Sequence, residues 1–321
     1  MASCEDRACS ARRQLRGHQP ARRSRNAARF RDRQRYPNRL RRRGRGSAGA
    51  VAPRLPRIRR GNLPAPDPGA GRGRLPGRRP EHPGLCPSAL PADGSMLLVD
   101  LVSDANAIHQ ALGGGSDAVL IGHDWGAATA WAAATTAPER WSKVVISDVP
   151  PLWFFANYAS TYEGIERLNH FWFFQMDMAE TIVAANDMAW LRQVMQDKWT
   201  APSYDATEDF EAVRKALNEP ARLRAALDLY RMNFGPKVMG TPEWEAAHMA
   251  LWGALPTQPT LYLHGTADQS VSMDEASLTA IRESLADGSE TDFIQGAGHI
   301  VPAEKPDAYN ARVLQFLKKA V

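Results

Sequence analysis

The sequence predicts an α/β fold with a mostly parallel sheet, helices on both faces and a block of helices inserted near its middle. Two observations lead to this prediction. From about Ser95 onward, short apolar runs typical of buried parallel strands alternate with segments of helical periodicity. Residues 151–250 interrupt this alternation, because they are rich in aromatic side chains and carry no strand signal. We interpret residues 151–250, here named the helical block, as a lid over the sheet.

The elements can be justified in chain order. Residues 96–112 place apolar side chains on one helical face, and the glycines at 113–115 end that helix. The same criteria predict strands over 117–121, 143–146, 259–263 and 291–294, and helices over 127–136, 275–285 and 309–319. Because strands joined by helices form parallel sheets with right-handed crossovers, we expect the carboxyl ends of these strands to share one edge.

The charged residues are distributed unevenly along the 321-residue chain. Residues 1–90 contain 24 arginines, no lysine and five acidic residues, whereas the remaining 231 residues contain 16 basic and 30 acidic residues. All three cysteines (Cys4, Cys9 and Cys86) lie in the basic part, so residues 91–321 form neither a disulfide nor a thiolate metal site. No apolar run approaches the roughly 18 residues of a membrane-spanning helix. The composition argues against a membrane-spanning, a secreted disulfide-rich or a zinc-thiolate protein.

Residues 1–86 are rich in arginine, proline and glycine, a composition that predicts disorder. A basic arm that binds a polyanion, an organellar transit peptide and translation of GC-rich DNA in a wrong frame can each explain it. The absence of lysine and the many prolines favour the third explanation. Residues 53–56 (Pro-Arg-Leu-Pro) can be encoded so that reading one base later gives His-Gly-Phe-Pro, and 68–71, 74–80 and 84–86 allow further readings in that frame.

The segment Gly122-His123-Asp124-Trp125-Gly126 lies directly after a predicted strand and before a predicted helix. A small-x-nucleophile-x-small turn in this position is typical of a nucleophile elbow, whose tightness excludes side chains two places either side of the nucleophile. The nucleophile then lies at a helix N-terminus, which stabilises negative charge. With Asp124 in this position, attack on carbon gives an alkyl ester. The alternative is that Asp124 only caps the helix.

Asp268 and His299 follow two later strands. Asp268 comes just past the strand at 259–263, and His299 lies on the loop after the last predicted strand. With Asp124 they give the chain order nucleophile, acid, histidine, in which His299 is the general base and Asp268 orients it. Alone, Asp268 is typical of a turn or cap and His299 of a polar loop. The three residues together favour a catalytic triad.

These residues resemble the α/β-hydrolase superfamily, specifically its aspartate-nucleophile branch of epoxide hydrolases and haloalkane dehalogenases. The resemblance covers roughly residues 87–321. Within the helical block, residues 171–175 (Phe-Trp-Phe-Phe-Gln) and 229–231 (Leu-Tyr-Arg) are similar to the lid segments of epoxide hydrolases. The resemblance implies that Asp124 opens an epoxide to a covalent ester, and that His299 activates the water that releases a diol.

The resemblance also implies roles around the nucleophile. The backbone N–H of Trp125 supplies half of the oxyanion hole, and Tyr230 matches one of two lid tyrosines that bind and protonate the epoxide oxygen. At the position of the other tyrosine this chain has His170. His170 is either a donor to that oxygen or a residue that packs among the lid aromatics. Tyr158 and Tyr162 are candidate substitutes, although neither has the matching spacing.

The front of the sheet departs from the family. The family's His-Gly-x-Pro segment supplies the second oxyanion N–H and carries the central strand beside the nucleophile strand. This chain contains that segment only in the shifted frame, at 53–56. We therefore expect the front of the sheet to be missing and the strand before Asp124 to expose an apolar edge. The chain as written is then expected to be inactive and poorly soluble, and a frame-corrected chain to be an active hydrolase.

The sequence thus predicts a cytoplasmic epoxide hydrolase-like enzyme that converts a small apolar epoxide and water to a diol. No metal or organic cofactor, specific nucleic acid or membrane partner is implied, and no oligomeric state is predicted. The predicted domains are a disordered or frame-shifted segment (1–86), the first part of the hydrolase core (87–150), the helical block as a lid (151–250) and the C-terminal part of the core (251–321).

Two other functions remain open. A haloalkane dehalogenase would use Trp125 in halide binding, but Tyr230 disfavours it because a halide site needs N–H donors. A non-catalytic polyanion-binding protein would bind nucleic acid through the arginine-rich arm, with a salt-dependent affinity that disappears when residues 1–90 are deleted. Asp124 itself disfavours a serine-type esterase.

Overall fold

The sheet contains six parallel strands within the residues that the structure describes, which are 49–51 and 77–78 as backbone, and 88–236 and 239–319 with their side chains. In this computed structural model the strands are β1 Gly49–Val51, β2 Gly77–Arg78, β3 Ala118–His123, β4 Trp141–Ser147, β5 Thr260–Gly265 and β6 Glu290–Ile294. They lie in the order β2-β1-β3-β4-β5-β6, and every neighbouring pair is parallel. The prediction of a mostly parallel sheet is confirmed.

The helices alternate with the strands as predicted, and their ends differ from the predicted ones by a few residues. In chain order they are α1 Leu98–Ala111, α2 Trp125–Thr136, α3 Leu152–Ala159, α4 Tyr162–Arg167, α5 Asn169–Phe173, α6 Ala179–Val194, α7 Thr207–Leu217, α8 Pro220–Phe234, α9 Pro242–Trp252, α10 Glu275–Ser284, α11 Val301–Glu304 and α12 Pro306–Leu317. A π-helical turn, Met195–Trp199, follows α6. The helical block corresponds to α3–α9, inserted between β4 and β5.

Alternate side chains of the central strands enter two separate cores. In β4, Val144 and Ile146 pack with side chains of α1, α2 and α10, whereas Val145 packs with side chains of α12. In β5, Tyr262 joins the first core and Leu261 the second. This period of two is the pattern of a strand buried on both faces, so helices cover both faces of the sheet.

The helical block has a core of its own. Its aliphatic and aromatic side chains pack together with Trp125 from the start of α2 and with Leu101 from α1. This contact places the block beside the carboxyl ends of the strands, where β3 passes into α2. Among the helices described, none is long and apolar enough to cross a membrane.

The strand β3 has a neighbour on its front side, which corrects the expectation of an exposed edge. β1 pairs with β3 through Ala50 opposite Leu120 and Val51 opposite Ile121, and β2 pairs with β1. The N–H and C=O groups of a buried strand need partners, and the short strand β1 supplies them along part of β3. The front of the sheet is therefore present but short. The other expectations for residues 1–86 lie outside the described residues.

Candidate active site

Asp124 occupies a strained turn between β3 and α2. Its backbone has φ 53° and ψ −126°, a conformation that L residues rarely adopt. The turn is tight, because a Cβ on Gly122 would overlap the carbonyl oxygen of Gly126. The Asp124 carbonyl accepts hydrogen bonds from the first turn of α2, but its carboxylate makes no capping bond. The geometry is that of a nucleophile elbow, and the alternative in which the side chain caps the helix is not observed.

The structure brings Asp124, Asp268 and His299 together at the carboxyl ends of the strands. His299 Nε2 lies 3.2 Å from Asp124 Oδ1, and His299 Nδ1 lies 2.9 Å from Asp268 Oδ2. The other oxygen of Asp268 accepts the backbone N–H groups of Ser270 at 2.6 Å and Val271 at 3.2 Å. Asp268 is thereby fixed in orientation and in turn fixes the imidazole, as a triad requires.

The three groups hold each other in charged forms. Burial alone would raise the pKa of Asp124, but the hydrogen bond and charge of His299 lower it to about 2. Burial would lower the pKa of His299, but Asp268 and Asp124 raise it well above its ordinary value. These opposite shifts favour an ionised Asp124 beside a protonated His299. Converting Asp124 to a neutral ester would remove one of the two carboxylates that hold this proton, so His299 would release it more readily.

Two further buried polar side chains, His123 and Asp148, lie behind Asp124, Asp268 and His299, and the sequence patterns gave them no role. His123 Nε2 donates to the His299 carbonyl oxygen at 2.7 Å and lies 3.4 Å from Asp148 Oδ2. Asp148 directly follows β4, accepts the Gly265 N–H at 3.2 Å and has its pKa raised well above the ordinary value by burial. Because Asp148 lies at the carboxyl end of a parallel strand, its position in the sequence could have marked it as a candidate site residue.

One cluster in the described part of the chain offers metal-ligating atoms. Asp148, His264 and Asp268 place such atoms within 4.8 Å of one another. His264, however, has both nitrogens within hydrogen-bonding distance of other groups, the Tyr262 hydroxyl and the Val271 carbonyl, each at 2.9 Å. Asp268 is likewise engaged by His299. The cluster already has hydrogen-bond partners, which favours a structural role.

An apolar cavity of about 130 Å³ connects the triad to the helical block. Asp124 and His299 lie at its sheet side, and His170 and Tyr230 line it from α5 and α8. Helices α6–α8 contribute most of its aliphatic lining: Val183, Leu191, Val213, Leu217, Leu223 and Leu227. The structure thus places the predicted nucleophile, the predicted base and the predicted donors of the helical block around one apolar cavity.

His170 and Tyr230 are both neutral. Burial lowers the pKa of His170 to about 3, so its imidazole is uncharged at neutral pH. Burial and the negative charge of Asp124 raise the pKa of Tyr230 well above its ordinary value. The two rings meet edge to face with centroids 5.6 Å apart, and His170 also contacts the ring of Trp199 at 5.4 Å. His170 therefore both packs among aromatic rings and faces the cavity.

The other aromatic candidates lie elsewhere. Tyr162 is 85% exposed, and Tyr158 donates its hydroxyl to the Ser270 carbonyl at 3.4 Å, so neither takes the place of the missing tyrosine. The Trp125 indole packs edge-on against Tyr230 at 5.3 Å and is not among the groups that line the cavity. Its backbone N–H lies at Asp124, where it helps to lower the pKa of that carboxyl. This is the N–H that the resemblance assigns to the oxyanion hole.

The second oxyanion donor is not among the described residues. Asp124 Oδ2 is buried and has no hydrogen-bond partner within the part of the chain that the structure describes. The His-Gly-x-Pro segment that the family uses corresponds to residues 53–56 in the shifted frame, which lie outside that part.

Comparison with known proteins supplies a family. A sequence model of the alpha/beta hydrolase fold matches residues 78–306. Epoxide hydrolase 4 of Mus musculus and that of Homo sapiens are each 27% identical to the chain over 225 residues, covering 68% of this chain and 58% of each relative. The chain therefore spans less than two thirds of the length of these relatives. In the crystal structure of a Bacillus megaterium epoxide hydrolase mutant, the fold is similar with a TM-score of 0.61 at 22% identity, over 74% of this chain and 82% of that one.

Proposed function

The chain belongs to the alpha/beta hydrolase fold family, and we propose that it is an epoxide hydrolase-like enzyme that opens a small apolar epoxide to a diol through an ester on Asp124. One observation carries this proposal. A carboxylate at the nucleophile elbow, bonded to His299 at 3.2 Å, shares an apolar cavity with two neutral donors, His170 and Tyr230. The epoxide hydrolases among its relatives support the same substrate class.

The first half-reaction uses Asp124 and the two donors. A carboxylate oxygen of Asp124 attacks a ring carbon of the epoxide, and the carbon–oxygen bond of the ring breaks. Tyr230 gives its proton to the departing oxygen, because an alkoxide is a stronger base than a phenolate even when burial raises the phenol's pKa. The neutral His170 has an N–H to donate to the same oxygen. The product of this step is an alkyl ester on Asp124.

The second half-reaction uses His299. Esterification removes the charge of Asp124, which lowers the pKa of His299, so the imidazolium passes its proton to the Tyr230 phenolate. The neutral imidazole then takes a proton from water. The resulting hydroxide attacks the ester carbonyl, and the oxyanion is stabilised by the Trp125 N–H together with a second donor. The diol leaves and Asp124 is regenerated. The proton from water restores the protonated His299 after its earlier proton has returned Tyr230 to the phenol, so one epoxide and one water give one diol.

The cavity defines the substrate class. Its lining is aliphatic and aromatic apart from six residues: His123, Asp124, His170, Tyr230, Ser270 and His299. A charged substituent would lose its hydration there without a partner, at a cost of several kcal/mol. We therefore propose a small apolar epoxide, with the helical block acting as the lid. The cytoplasmic location predicted from the sequence belongs to this proposal.

The dehalogenase alternative is weaker. A halide leaving group is stabilised by N–H donors, and the Trp125 indole packs against Tyr230 instead of lining the cavity. His170 supplies an N–H, but the second group beside it is the phenol of Tyr230. An imidazole N–H beside a phenol can protonate the oxygen that leaves an epoxide carbon, whereas a halide leaves without needing a proton.

The proposal is tested by a single turnover in ¹⁸O-labelled water with 1,2-epoxyhexane, and with 1-chlorohexane in parallel. We expect hexanediol whose new oxygen is unlabelled in the first turnover, because water attacks the ester carbonyl and leaves ¹⁸O in Asp124. Asp124→Asn should form no diol, and the exposed Asp274→Asn should match the wild type. Label in the first-turnover diol would refute the ester mechanism, and chloride release would favour the dehalogenase.

A further inference from the structure

Two backbone segments approach each other closely beside His299. One is the end of the π-helical turn and the next two residues of the helical block, 199–201, and the other is the loop 298–300. The His299 N–H donates to the Trp199 carbonyl at 3.0 Å. A Cβ on Gly298 would lie 2.5 Å from the backbone nitrogen of Ala201, so only glycine allows the two chains to approach this closely.

One carboxylate bonds to both segments. Glu304 Oε2 accepts the N–H of Ala201 at 2.7 Å and that of Gly298 at 2.8 Å, and its Oε1 accepts the N–H of Ile300 at 2.9 Å. The residue is only 8% exposed. Glu304 thus bonds to the two residues that flank His299 and to one residue of the helical block.

We infer that Glu304 is a positioning residue, which holds the catalytic-histidine loop and the helical block in a single fixed arrangement. If Glu304 only capped the start of α11, its hydrogen bonds to the nearby N–H groups of Gly298 and Ile300 would be sufficient. Ala201 is 103 positions away in sequence and belongs to the block. The inference rests on the proposed function, since it assigns Glu304 to the step that uses His299.

The cost of burying the Glu304 carboxylate favours a role in joining the two segments. Burial raises the pKa of Glu304, and its three N–H partners lower it again. A buried carboxylate is costly unless hydrogen bonds offset the lost hydration, and bonds from N–H groups to a charged oxygen are among the stronger ones. Removing the carboxylate leaves three N–H groups without their acceptor. The two segments are then expected to separate or to admit water.

The link extends to the donor side of the cavity. Trp199 holds the His299 N–H through its carbonyl, and its ring contacts His170 at 5.4 Å. A shift of the block relative to the loop therefore moves His170 and His299 relative to each other. Because His299 acts as a base only in ester hydrolysis, we expect loss of Glu304 to slow that step more than ester formation.

The test combines hydrogen exchange with transient kinetics in the full chain. In Glu304→Ala we expect faster amide exchange in peptides covering both 199–201 and 298–300. We also expect ester hydrolysis to slow by about tenfold or more, since small displacements of a catalytic group have effects of this size, while ester formation changes by less than about threefold. Glu304→Gln keeps one acceptor and should lie between the wild type and Glu304→Ala.

Two further variants make the test specific. Asp274→Ala removes another carboxylate that accepts a backbone N–H, from Ser277 at 2.7 Å, at the start of α10, and should change neither readout. Gly298→Ala forces the two backbones apart and should reproduce the Glu304→Ala pattern, which preserves the test if Glu304→Ala fails to fold.

Faster exchange in 298–300 alone would overturn the inference, because Glu304 would then be a local cap. An unchanged rate of ester hydrolysis in Glu304→Ala would also overturn it. If the wild type formed no ester at all, the proposed function would fail, while the exchange experiment would still report whether Glu304 joins the two segments.

Discussion

The front of the sheet (β1 and β2) and the rest of the sheet (β3–β6) differ in how clearly the sequence predicts their strands. β3–β6 have five to seven residues each, and the central strands send alternate apolar side chains into two cores. β1 and β2 have three and two residues, in a region rich in arginine, proline and glycine. Along β3, β4 pairs with six residues and β1 with two.

This difference separates the two half-reactions. In the proposed mechanism the ester is formed by Asp124, His170 and Tyr230, and these residues are positioned by β3, α5 and α8 in the well-supported part of the molecule. Ester hydrolysis also needs the second oxyanion donor, which the family supplies from the front of the sheet. A defect confined to the front is therefore expected to spare ester formation and slow ester hydrolysis.

The largest expected effect comes from exchanging the front. The coding DNA should be sequenced across codons 40–100, and the chain as written compared with one in which residues 1–86 follow the shifted frame. Restoring one oxyanion donor should raise steady-state diol formation by about 10²–10³-fold per folded molecule. We also expect the shifted-frame chain to give more soluble protein. Equal turnover by both chains, each shown to be folded by circular dichroism, would contradict this part of the account.

A smaller effect is expected at His170, in the well-supported part. His170→Phe keeps an aromatic ring but removes the N–H, and one hydrogen bond to a developing oxyanion is worth about 1.5–3 kcal/mol, so ester formation should slow by roughly 10–100-fold. His170→Tyr restores a second phenol and should form the ester at least as fast as the wild type. Single-turnover rates measure both, in either version of the chain. An unchanged rate in His170→Phe would make His170 a packing residue only.

The smallest effect concerns the pH dependence of stability. The pKa of Asp124 is lowered to about 2, so its contribution is present above the ordinary carboxyl pKa and is lost as the pH falls toward 2. The pKa of His299 is raised, so its contribution is complete below about 6.5 and is lost as the pH rises through the folded-state value. The stabilisation by this pair is therefore largest between about pH 4 and 6.5.

Urea unfolding of the wild type and of His299→Gln from pH 3 to pH 9 checks this expectation. The difference in unfolding free energy should peak in the mildly acidic range and shrink on both sides. Because the titrating groups lie outside the front of the sheet, the same profile is expected for both versions of the chain. A difference that grows steadily toward pH 9 would show that His299 is not stabilised in its protonated form.

The sequence allowed the elements and the grouping of Asp124, Asp268 and His299 to be predicted, because both depend on short-range patterns. Apolar periodicity identified β3–β6 and the core helices, and the elbow motif identified Asp124. Asp268 and His299 followed from the rule that functional groups gather at the carboxyl ends of parallel strands. The structure brings the three side chains into hydrogen-bonding distance of one another.

The features that the sequence did not reveal depend on long-range contacts. Glu304 bonds to Ala201, which is 103 residues away, and no periodicity connects the two. The pairing of β1 with β3 involves so few residues that β1 gives no recognisable strand pattern. The neutral state of His170 follows from burial among rings that the sequence brings together only on folding.

The most direct test of the central claim is intact-mass spectrometry of His299→Gln after incubation with 1,2-epoxyhexane. This variant keeps Asp124 but lacks the base that hydrolyses the ester. We expect the protein to gain the full mass of the epoxide, even in the chain as written, with the added mass on the peptide that contains Asp124. The double variant Asp124→Asn, His299→Gln should gain nothing. No adduct, or an adduct on another residue, would contradict the account.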